Sequence, residues 1–327
     1  MASPHKTRLH FNEVAMRDGL QNECRFVPTE DKIALIDRLS ALGYTRIEAT
    51  AFVSPAAIPA LQDAEAVMRG IRRQPGVIYS VLVPNVRGAH RAIESQADEL
   101  NLFMSASETH NLANVRMSRE QSFAQIAQVA RLASEAKIPV NVSLSTSFGC
   151  PMEGDVGEID VLTWVKRFGD LGVQGVSLCD TTGMAYPAQV RSLCGKAMQA
   201  HPNLNFTAHF HDTRGMGLVN ALAAAETGIR TFDASLGGLG GCPYAPGASG
   251  NVAMEDLVHM FECTGYETGM DLAGLIEVAR LLEPLVGHGL SSQLPCAGPR
   301  LTKHAPPAGF EEIKARAQAK ATQAPRL

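Results

Sequence analysis

A complete strand–helix–strand pattern occupies residues 11–52, FNEVAMRDGLQNECRFVPTEDKIALIDRLSALGYTRIEATAF. Short β-rich runs at Phe11–Asp18 and Thr45–Phe52 enclose a longer segment that begins near Thr29 and ends at Gly43. The apolar residues of that segment recur at helical spacing: Ile33, Leu35, Ile36, Leu39 and Leu42. This order predicts a βα unit with parallel strands, because the helix returns the chain to the same end of the sheet.

The same alternation continues along the chain. Six further β-rich runs follow: Ile78–Val83, Glu99–Ser105, Val140–Thr146, Gly175–Thr181, Phe206–Asp212 and Thr231–Gly238. Further helices are predicted around residues 62–73, 118–136, 158–171, 187–200, 215–227, 252–263 and 271–286. Eight strands that alternate with helical segments favour a closed (β/α)8 TIM barrel. A doubly wound open sheet is the alternative, but it more often has a glycine-rich loop after its first strand, and RDGLQNE (17–23) is not GxGxxG.

The length of 327 residues leaves the number of domains open at first. About 150 residues per domain suggests two, whereas α/β barrels often reach about 250 residues as one. Because eight βα units occupy most of the chain, we predict an α/β protein, a TIM barrel with a C-terminal helical extension, as one domain over residues 8–290. Residues 291–327 are polar and proline-containing, and they are expected to form a partly ordered tail.

Composition and charge exclude several classes of protein. With 45% hydrophobic residues the chain can bury a sizeable core, which excludes a disordered or fibrous protein. The 29 basic and 33 acidic residues give a net charge of −4, which argues against a nucleic-acid partner. No run approaches the roughly 20 apolar residues of a membrane helix. Seven scattered cysteines and a start without an apolar core, MASPHKTRLH, predict a cytoplasmic protein without a secretory, mitochondrial or peroxisomal address.

Reactive side chains gather at the predicted carboxyl ends of the strands, where barrel enzymes place their catalytic groups. Arg17 and Asp18 end the first strand, Glu48 lies in the second, and Asp180 lies at the end of the sixth. These positions make the four residues candidates for a catalytic site.

A pair of histidines lies in the seventh strand. His209 and His211 are separated by Phe210, and side chains alternate between the two faces of a strand, so both imidazoles project to one side. Two imidazoles with a carboxylate such as that of Asp18 suit a divalent metal ion. Two histidines in a strand also often pack or contact water, and the residues alone leave both interpretations open.

The segment GGLGGCPYAPGASGN, residues 237–251, is too rich in glycine and proline for a helix or a regular strand. It follows the eighth strand, which predicts a loop over the barrel mouth whose glycines allow close approach to a ligand. Cys242 in this loop could donate or accept a proton, and a plain loop thiol is the alternative. Glu255, shortly after the loop, could cap its helix or brace Arg17. Cys179 and Cys194 are expected to fill core space.

Seven motifs together resemble the 3-hydroxy-3-methylglutaryl-CoA lyase family. They occur in order from about residue 11 to about residue 290: EVAMRDGLQNE (13–23), IEATAFVSP (47–55), SASE (105–108), FGCPMEG (148–154), CDTTG (179–183), HFHDTRG (209–215) and GGLGGCPYAPGASGN (237–251). The glycine-rich motif is highly specific, whereas the Arg-Asp and HxH elements mark only the wider superfamily. The resemblance implies a metal-dependent TIM-barrel lyase whose domain over residues 8–290 is a pyruvate-carboxyltransferase-like catalytic domain.

The resemblance also implies roles for individual residues. A divalent metal, Mg²⁺ or Mn²⁺, would be held by Asp18, His209, His211 and Asn251. Arg17 and Gln21 would bind the substrate, with Arg17 on the thioester carbonyl oxygen. Cys242 would be the catalytic thiol, His209 would also relay protons, and Glu48 and Asp180 would shape the polar floor of the site.

The implied reaction cleaves 3-hydroxy-3-methylglutaryl-CoA to acetyl-CoA and acetoacetate, as in leucine degradation and ketone body formation. The expected partner is an acyl-CoA substrate, without nucleic acid or membrane. A homodimer is compatible with the resemblance, because barrels of this family often pair.

Several positions depart from the family pattern beside the expected acyl pocket: Ala15, Met16, Cys24, His110, Cys179 and Thr182. They leave open a related lyase for another short 3-hydroxyacyl-CoA such as citramalyl-CoA. A Claisen-type synthase is less favoured, since those enzymes usually append C-terminal domains. An amidohydrolase would place HxH on strand one, and a barrel that only binds CoA would have lost a ligand or Cys242.

Overall fold

A computed structural model describes residues 7–241 and 250–323 of the chain. Eight parallel strands pair in chain order, and the first also pairs with the last, which closes the barrel. The strands are β1 (His10–Glu13), β2 (Arg46–Ala51), β3 (Ile78–Leu82), β4 (Glu99–Ser105), β5 (Val140–Ser145), β6 (Gly175–Asp180), β7 (Asn205–Phe210) and β8 (Thr231–Ala234). The predicted TIM barrel is confirmed.

Helices surround the barrel and continue beyond it. They are α1 (Thr29–Leu39), α2 (Ala64–Gly70), α3 (Val86–Glu94), α4 (Glu108–Val115), α5 (Arg119–Ala136), α6 (Glu158–Asp170), α7 (Pro187–Ala200), α8 (Gly217–Thr227), α9 (Met254–Cys263), α10 (Leu272–Val286), α11 (Leu294–Ala297) and α12 (Phe310–Gln323). The sequence reading missed α3, whose buried face consists of Gly88, Ala89 and Ala92 and lacks large apolar residues. Within the described part of the chain, no helix has both the length and the apolar character needed to cross a bilayer.

Three strands end two or more residues earlier than the sequence predicts. β1 stops at Glu13, and Ala15–Gly19 forms a π-helical turn in which the carbonyl of Val14 accepts from three backbone N–H groups, the shortest bond being 2.7 Å. β7 stops at Phe210, and β8 stops at Ala234, before a 3₁₀ turn over Leu236–Gly238. Arg17 and Asp18 therefore lie in a turn above the strand, because local hydrogen bonds replace sheet pairing there.

The barrel interior is polar, in contrast to the bulky branched residues usual in this fold. Asn101 donates to Glu48 at 2.7 Å, although their strands β4 and β2 are not neighbours, so this bond crosses the interior. Oδ1 of Asn101 accepts from Asn141 and Ser143, both at 3.0 Å, and Asn141 also donates to Ser177 at 3.0 Å. The apolar core lies between the strands and the helices. The interior is therefore a hydrogen-bonded polar support for the groups at the carboxyl end.

The chain after α10 packs against the turn that follows β8. The backbone N–H of Ser291 donates to the carbonyl of Gly237 at 3.1 Å, and Asp256 accepts from the backbone N–H groups of Gln293 and Leu294. The segment 291–327, expected to be partly ordered, contains α11 and α12, and residues 310–319 of α12 are exposed.

Candidate active site

Three buried side chains at the carboxyl end of the barrel form a candidate metal centre. Asp18, His209 and His211 each offer one ligand atom, and these atoms lie within 4.8 Å of one another. The Nε2 atoms of the two histidines are 3.2 Å apart, and Oδ2 of Asp18 lies 3.7 Å from Nε2 of His211. No side chain of the three is more than 10% exposed. The three groups can therefore converge on a single ion.

The local backbone explains this convergence. His209 lies in β7, and His211 follows the strand in an isolated bridge with Asn251. Phe210 points to the other side and packs its ring 5.6 Å from that of Phe148, as the alternation of side chains predicts. Asp18 reaches the same place from the π-helical turn after β1.

Asn251 adds a further oxygen to the centre. Its Nδ2 donates to Oδ2 of Asp18 at 2.7 Å and to the carbonyl of Leu239 at 3.0 Å. Its Oδ1 is buried and has no hydrogen-bond partner among the described residues. A buried hydrogen-bond acceptor without a partner raises the free energy of the folded state, so this oxygen is suited to bind a cation. Carboxylate, imidazole and amide donors together fit a divalent metal ion.

Arg17 lies directly beside the candidate metal centre and is fixed by two carboxylates. Its Nε donates to Glu48 at 2.5 Å, and its Nη1 donates to Oδ1 of Asp18. Burial alone would lower the pKa of Arg17, but the charges of Glu48 and Asp18 raise it above its ordinary value. Burial opposes the charged form of Asp18 as well, yet the charge of Arg17 holds the pKa of that carboxyl well below its ordinary value. The site therefore keeps the positively charged guanidinium of Arg17 next to the negatively charged carboxylate of Asp18.

Gln21 and Asp180 lie at the same end of the barrel with different partners. Gln21 donates to Oδ1 of Asp18 at 2.9 Å, so it contacts the metal centre. Asp180 accepts from the backbone N–H of Met184 at 2.7 Å, while its Oδ2 is buried without a partner among the described residues. Burial raises the pKa of Asp180. Asp180 therefore offers a buried oxygen that can hold a proton.

Comparison with known proteins agrees with this geometry. The model of the HMGL-like protein family matches residues 8–282. The chain belongs to the HMGL-like family. The resemblance predicted from the sequence motifs is thereby confirmed.

Relatives of this HMGL-like chain include named lyases. The hydroxymethylglutaryl-CoA lyase of Bacillus subtilis is 44% identical over 290 residues, which is 89% of this chain and 97% of that protein. The human mitochondrial hydroxymethylglutaryl-CoA lyase is 40% identical over 287 residues, 88% of each chain. The structure of an HMG-CoA lyase from Acinetobacter baumannii, in complex with coenzyme A and 3-methylmalate, is 48% identical with a TM-score of 0.89, covering 94% of this chain and 100% of that one.

Asp233 is a member of the site that the sequence reading missed. Its Oδ2 lies 3.2 Å from Nδ1 of His209, and its Oδ1 accepts from Asn12 at 2.8 Å. Burial disfavours a charged His209, but the hydrogen bond and charge of Asp233 outweigh burial and raise the pKa of the imidazole. An aspartate within a buried strand, in TFDASLGG (231–238), was the available clue, since an uncompensated carboxylate is rarely buried.

Two further buried carboxylates hold the turn after β8. Glu13 accepts from the backbone N–H groups of Ala15 at 2.8 Å and Leu236 at 2.9 Å. Glu255 accepts from the N–H of Gly237 at 3.1 Å. Burial raises the pKa of both glutamates to about 7. Of the two roles left open for Glu255, its side-chain contacts among the described residues show neither, because the carboxylate accepts from Gly237 in the turn at the start of the glycine-rich segment.

Cys242 lies outside the described residues, but Gly240 and Gly250, described on either side of it, lie next to Asn251 of the metal centre. At Gly240, with φ of +113°, a Cβ atom would lie 2.6 Å from Nδ2 of Asn251. At Gly250 a Cβ atom would lie 1.9 Å from the carbonyl oxygen of Gly238. Glycine is therefore required where the loop leaves the centre and where it returns.

The two cysteines expected to fill core space differ in location. Cys194 belongs to the apolar core, as predicted. Cys179 pairs in register with His209, and the charges of Asp233, Arg17 and Asp18 all act on its thiol. Burial raises the pKa of Cys179 well above its ordinary value, so the thiol is neutral. Cys179 therefore forms part of the wall of the site.

Proposed function

We propose that this protein cleaves 3-hydroxy-3-methylglutaryl-CoA to acetyl-CoA and acetoacetate. One observation carries the proposal: the buried Asp18, His209 and His211 group lies beside a fixed arginine, Arg17, at the carboxyl end of a barrel. The named lyases that match most of the chain support the same activity.

The proposed cofactor is Mg²⁺ or Mn²⁺, held by Asp18, His209, His211 and Asn251. Oxygen ligands suit either ion, and the two imidazoles favour Mn²⁺. When bound, such an ion supplies positive charge that stabilises negative charge on the substrate's oxygens. The buried Oδ1 of Asn251, without a partner among the described residues, supports this assignment.

Arg17 has the properties needed to bind the thioester carbonyl. When the bond between C2 and C3 breaks, its electron pair moves onto the acetyl unit, and negative charge builds on the thioester oxygen. The guanidinium is already oriented by Glu48 and Asp18, so little reorganisation accompanies the developing charge. Gln21 would support the same arrangement through Asp18.

Two proton transfers complete the proposed reaction. The tertiary hydroxyl loses its proton as the ketone forms, and the enolate carbon of acetyl-CoA gains one. Nε2 of His209 faces the metal centre and its Nδ1 faces Asp233, so we assign the hydroxyl proton to Asp180, whose buried Oδ2 has no partner among the described residues. Cys242 is proposed as the donor to the enolate carbon, because the described glycines on either side of it lie next to the metal centre.

A lyase for another short 3-hydroxyacyl-CoA is the second candidate. Citramalyl-CoA has an acyl chain shorter by one methylene group, and Cys179 adds a side chain beside His209 where the family commonly has glycine. A bulkier wall favours a smaller acyl group. The A. baumannii relative was crystallised with 3-methylmalate, a short hydroxylated diacid.

The activity test is a panel of acyl-CoA substrates with identification of both products. Purified protein with Mg²⁺ or Mn²⁺ should release acetoacetate and acetyl-CoA from 3-hydroxy-3-methylglutaryl-CoA, and a chelator should stop the release. Rapid cleavage of citramalyl-CoA to pyruvate, without cleavage of the longer substrate, would replace the first candidate by the second. Cleavage of neither would contradict both.

The cellular context is part of the proposal. The reaction would serve leucine degradation and ketone body formation. A cytoplasmic location agrees with the six free cysteines among the described residues and with a relative named cytoplasmic 3-hydroxy-3-methylglutaryl-CoA lyase in Danio rerio. We propose an acyl-CoA as the partner molecule, and a homodimer as the assembly to test by light scattering.

A further inference from the structure

We propose that Asp233, oriented by Asn12, is a positioning residue that fixes His209 with its Nε2 lone pair directed at the metal centre. Asp233 would act through His209 and would not contact substrate or metal. The inference rests on the proposed metal site, and its test separates failure of that site from failure of the positioning role.

The three residues lie side by side on adjacent strands. Asn12 on β1 is in register with Asp233 on β8, and Asp233 is in register with His209 on β7. The contacts form a short chain across these strands: Nδ2 of Asn12 to Oδ1 of Asp233 at 2.8 Å, and Oδ2 of Asp233 to Nδ1 of His209 at 3.2 Å. The side chain of Asp233 is 11% exposed and that of His209 is 8% exposed. Water therefore offers little competition for these bonds.

The carboxylate between Asn12 and His209 accepts from both neighbours. The Nδ2 group of Asn12 can only donate, so Oδ1 of Asp233 must accept. Acceptance by the other carboxylate oxygen places the proton of the neutral imidazole on Nδ1 of His209. A leucine at position 233 would accept from neither neighbour, whereas an asparagine would still satisfy both if the amide of Asn12 turned to present its oxygen.

The tautomer of His209 decides whether it can bind a metal. With the proton on Nδ1, Nε2 carries a lone pair, and this atom lies 3.2 Å from Nε2 of His211 inside the centre. A ligating histidine commonly gives its other N–H to a carboxylate, and loss of such a partner typically weakens metal binding by about 10–100-fold. Asp233 supplies this partner for His209.

The decisive experiment compares Asp233→Leu, which removes both acceptors at nearly the same size, with the reciprocal double variant N12D/D233N. In the double variant the carboxylate at position 12 accepts from the new amide NH₂ group, and the new amide oxygen accepts from Nδ1 of His209. The swap conserves the net charge and restores both hydrogen bonds, while it moves the carboxylate away from the imidazole. Recovery of metal binding would therefore identify orientation, and not the adjacent negative charge, as the contribution of Asp233.

Each purified variant is measured in two ways. Calorimetry gives the Mn²⁺ affinity, and NMR of ¹⁵N-histidine-labelled protein shows which nitrogen of His209 carries the proton. The variant His209→Gln identifies the signal of His209. For Asp233→Leu we expect affinity to fall by about 10–100-fold and the proton to appear on Nε2. The double variant should return to within about threefold of wild type, with the proton on Nδ1.

The outcomes distinguish the two levels of the proposal. Wild-type protein that binds no Mn²⁺ would overturn the metal site itself. Asp233→Leu with wild-type affinity and the proton on Nδ1 would overturn the positioning role alone. If Asp233→Leu does not fold, as judged by circular dichroism, the folded double variant and Asn12→Ala provide the test. Unchanged affinity in Asn12→Ala, or a double variant with its proton on Nε2, would contradict the proposal.

Discussion

Arg17 and Glu48 form an ion pair of 2.5 Å inside the barrel, and neither side chain is more than 10% exposed. Glu48 in turn accepts from Asn101 on the far side of β3. The pair links the turn after β1 to the polar interior, so the charge of Arg17 has a fixed position before any substrate arrives.

Arg17→Lys should abolish most of the lyase activity. A lysine cannot donate to Glu48 and Asp18 while it also reaches a thioester oxygen, because it has one nitrogen in place of three. We expect kcat to fall by about 10²–10³-fold, the usual cost of one lost donor to a developing oxyanion. Steady-state kinetics would measure this change. Mn²⁺ affinity within a few fold of wild type would show an intact metal centre, and undiminished kcat would contradict the role of Arg17.

Glu48→Ala should destabilise the fold, because it leaves the buried guanidinium with Asp18 as its remaining carboxylate partner among the described contacts. Loss of one partner of a buried pair costs about 3–5 kcal/mol in the free energy of unfolding. Urea denaturation gives the value. Lys166→Ala is the matched control, since Lys166 and Asp170 form an exposed pair whose loss should cost less than about 1 kcal/mol. Equal effects would show that Glu48 does not stabilise Arg17.

Cys242→Ala should separate chemistry from metal binding. We expect turnover of 3-hydroxy-3-methylglutaryl-CoA to be lost while Mn²⁺ binds as in the wild type, because the thiol is proposed to move a proton and not to ligate. His211→Ala is the opposite control, and it should lose Mn²⁺ affinity, as calorimetry would show. Full activity in Cys242→Ala would assign the enolate proton to another group.

Glu255→Gln should change how stability depends on pH. The pKa of Glu255 is raised to about 7 in the folded protein from an ordinary 4.5, so the folded state binds more protons between these values. The contribution of Glu255 to stability is therefore largest below pH 4.5 and falls as pH rises to about 7, by up to about 1.4 kcal/mol per pH unit. The glutamine side chain of the variant does not titrate, so the variant lacks this contribution to the pH dependence of stability.

Urea denaturation of wild type and Glu255→Gln between pH 5 and pH 8 tests the sign. The free energy of unfolding of the wild type minus that of the variant should decrease as pH rises. A difference that stays constant or increases would mean that burial does not raise the pKa of Glu255.

Gly250→Ala should disturb the return of the glycine-rich segment to the metal centre. The added Cβ would lie 1.9 Å from the backbone oxygen of Gly238, which cannot move as a flexible side chain can. We expect a loss of about 1–3 kcal/mol, typical of overpacking, together with weaker Mn²⁺ binding through the adjacent Asn251. Gly195→Ala in α7 is the control, because no atom lies within 4 Å of its added Cβ. Helix propensity makes that change neutral or stabilising by up to about 1 kcal/mol.

Much of the barrel follows from patterns that involve near neighbours in the sequence. β4 and α7 occupy the predicted residues, and α5 begins after Ser118, whose side chain forms a capping box with Gln121. α3 was missed because its buried residues are small, so hydrophobic periodicity gave too weak a pattern. Local periodicity therefore identifies elements only where large apolar residues mark the buried face.

The ends of strands β1, β7 and β8 could not be read in the same way. Glu13 ends β1 while its carboxylate accepts from Leu236, which is 223 residues away. The same limitation hid Asp233, whose partners are Asn12 across 221 residues and His209 on a neighbouring strand. Nothing within a few residues of Asp233 reveals either contact.

The sequence by itself determined the number of strands, the projection of His209 and His211 to one side, and the glycine-rich connection after the eighth strand. These features depend on residue type and on spacings of a few residues, which the backbone dictates. Only the tertiary structure decided that Asp18, Asn251 and the histidines meet, that Glu48 fixes Arg17, and that Asp233 holds His209. Closure of the barrel brings together side chains from distant parts of the chain, and their buried charges and hydrogen bonds are then satisfied only by one another.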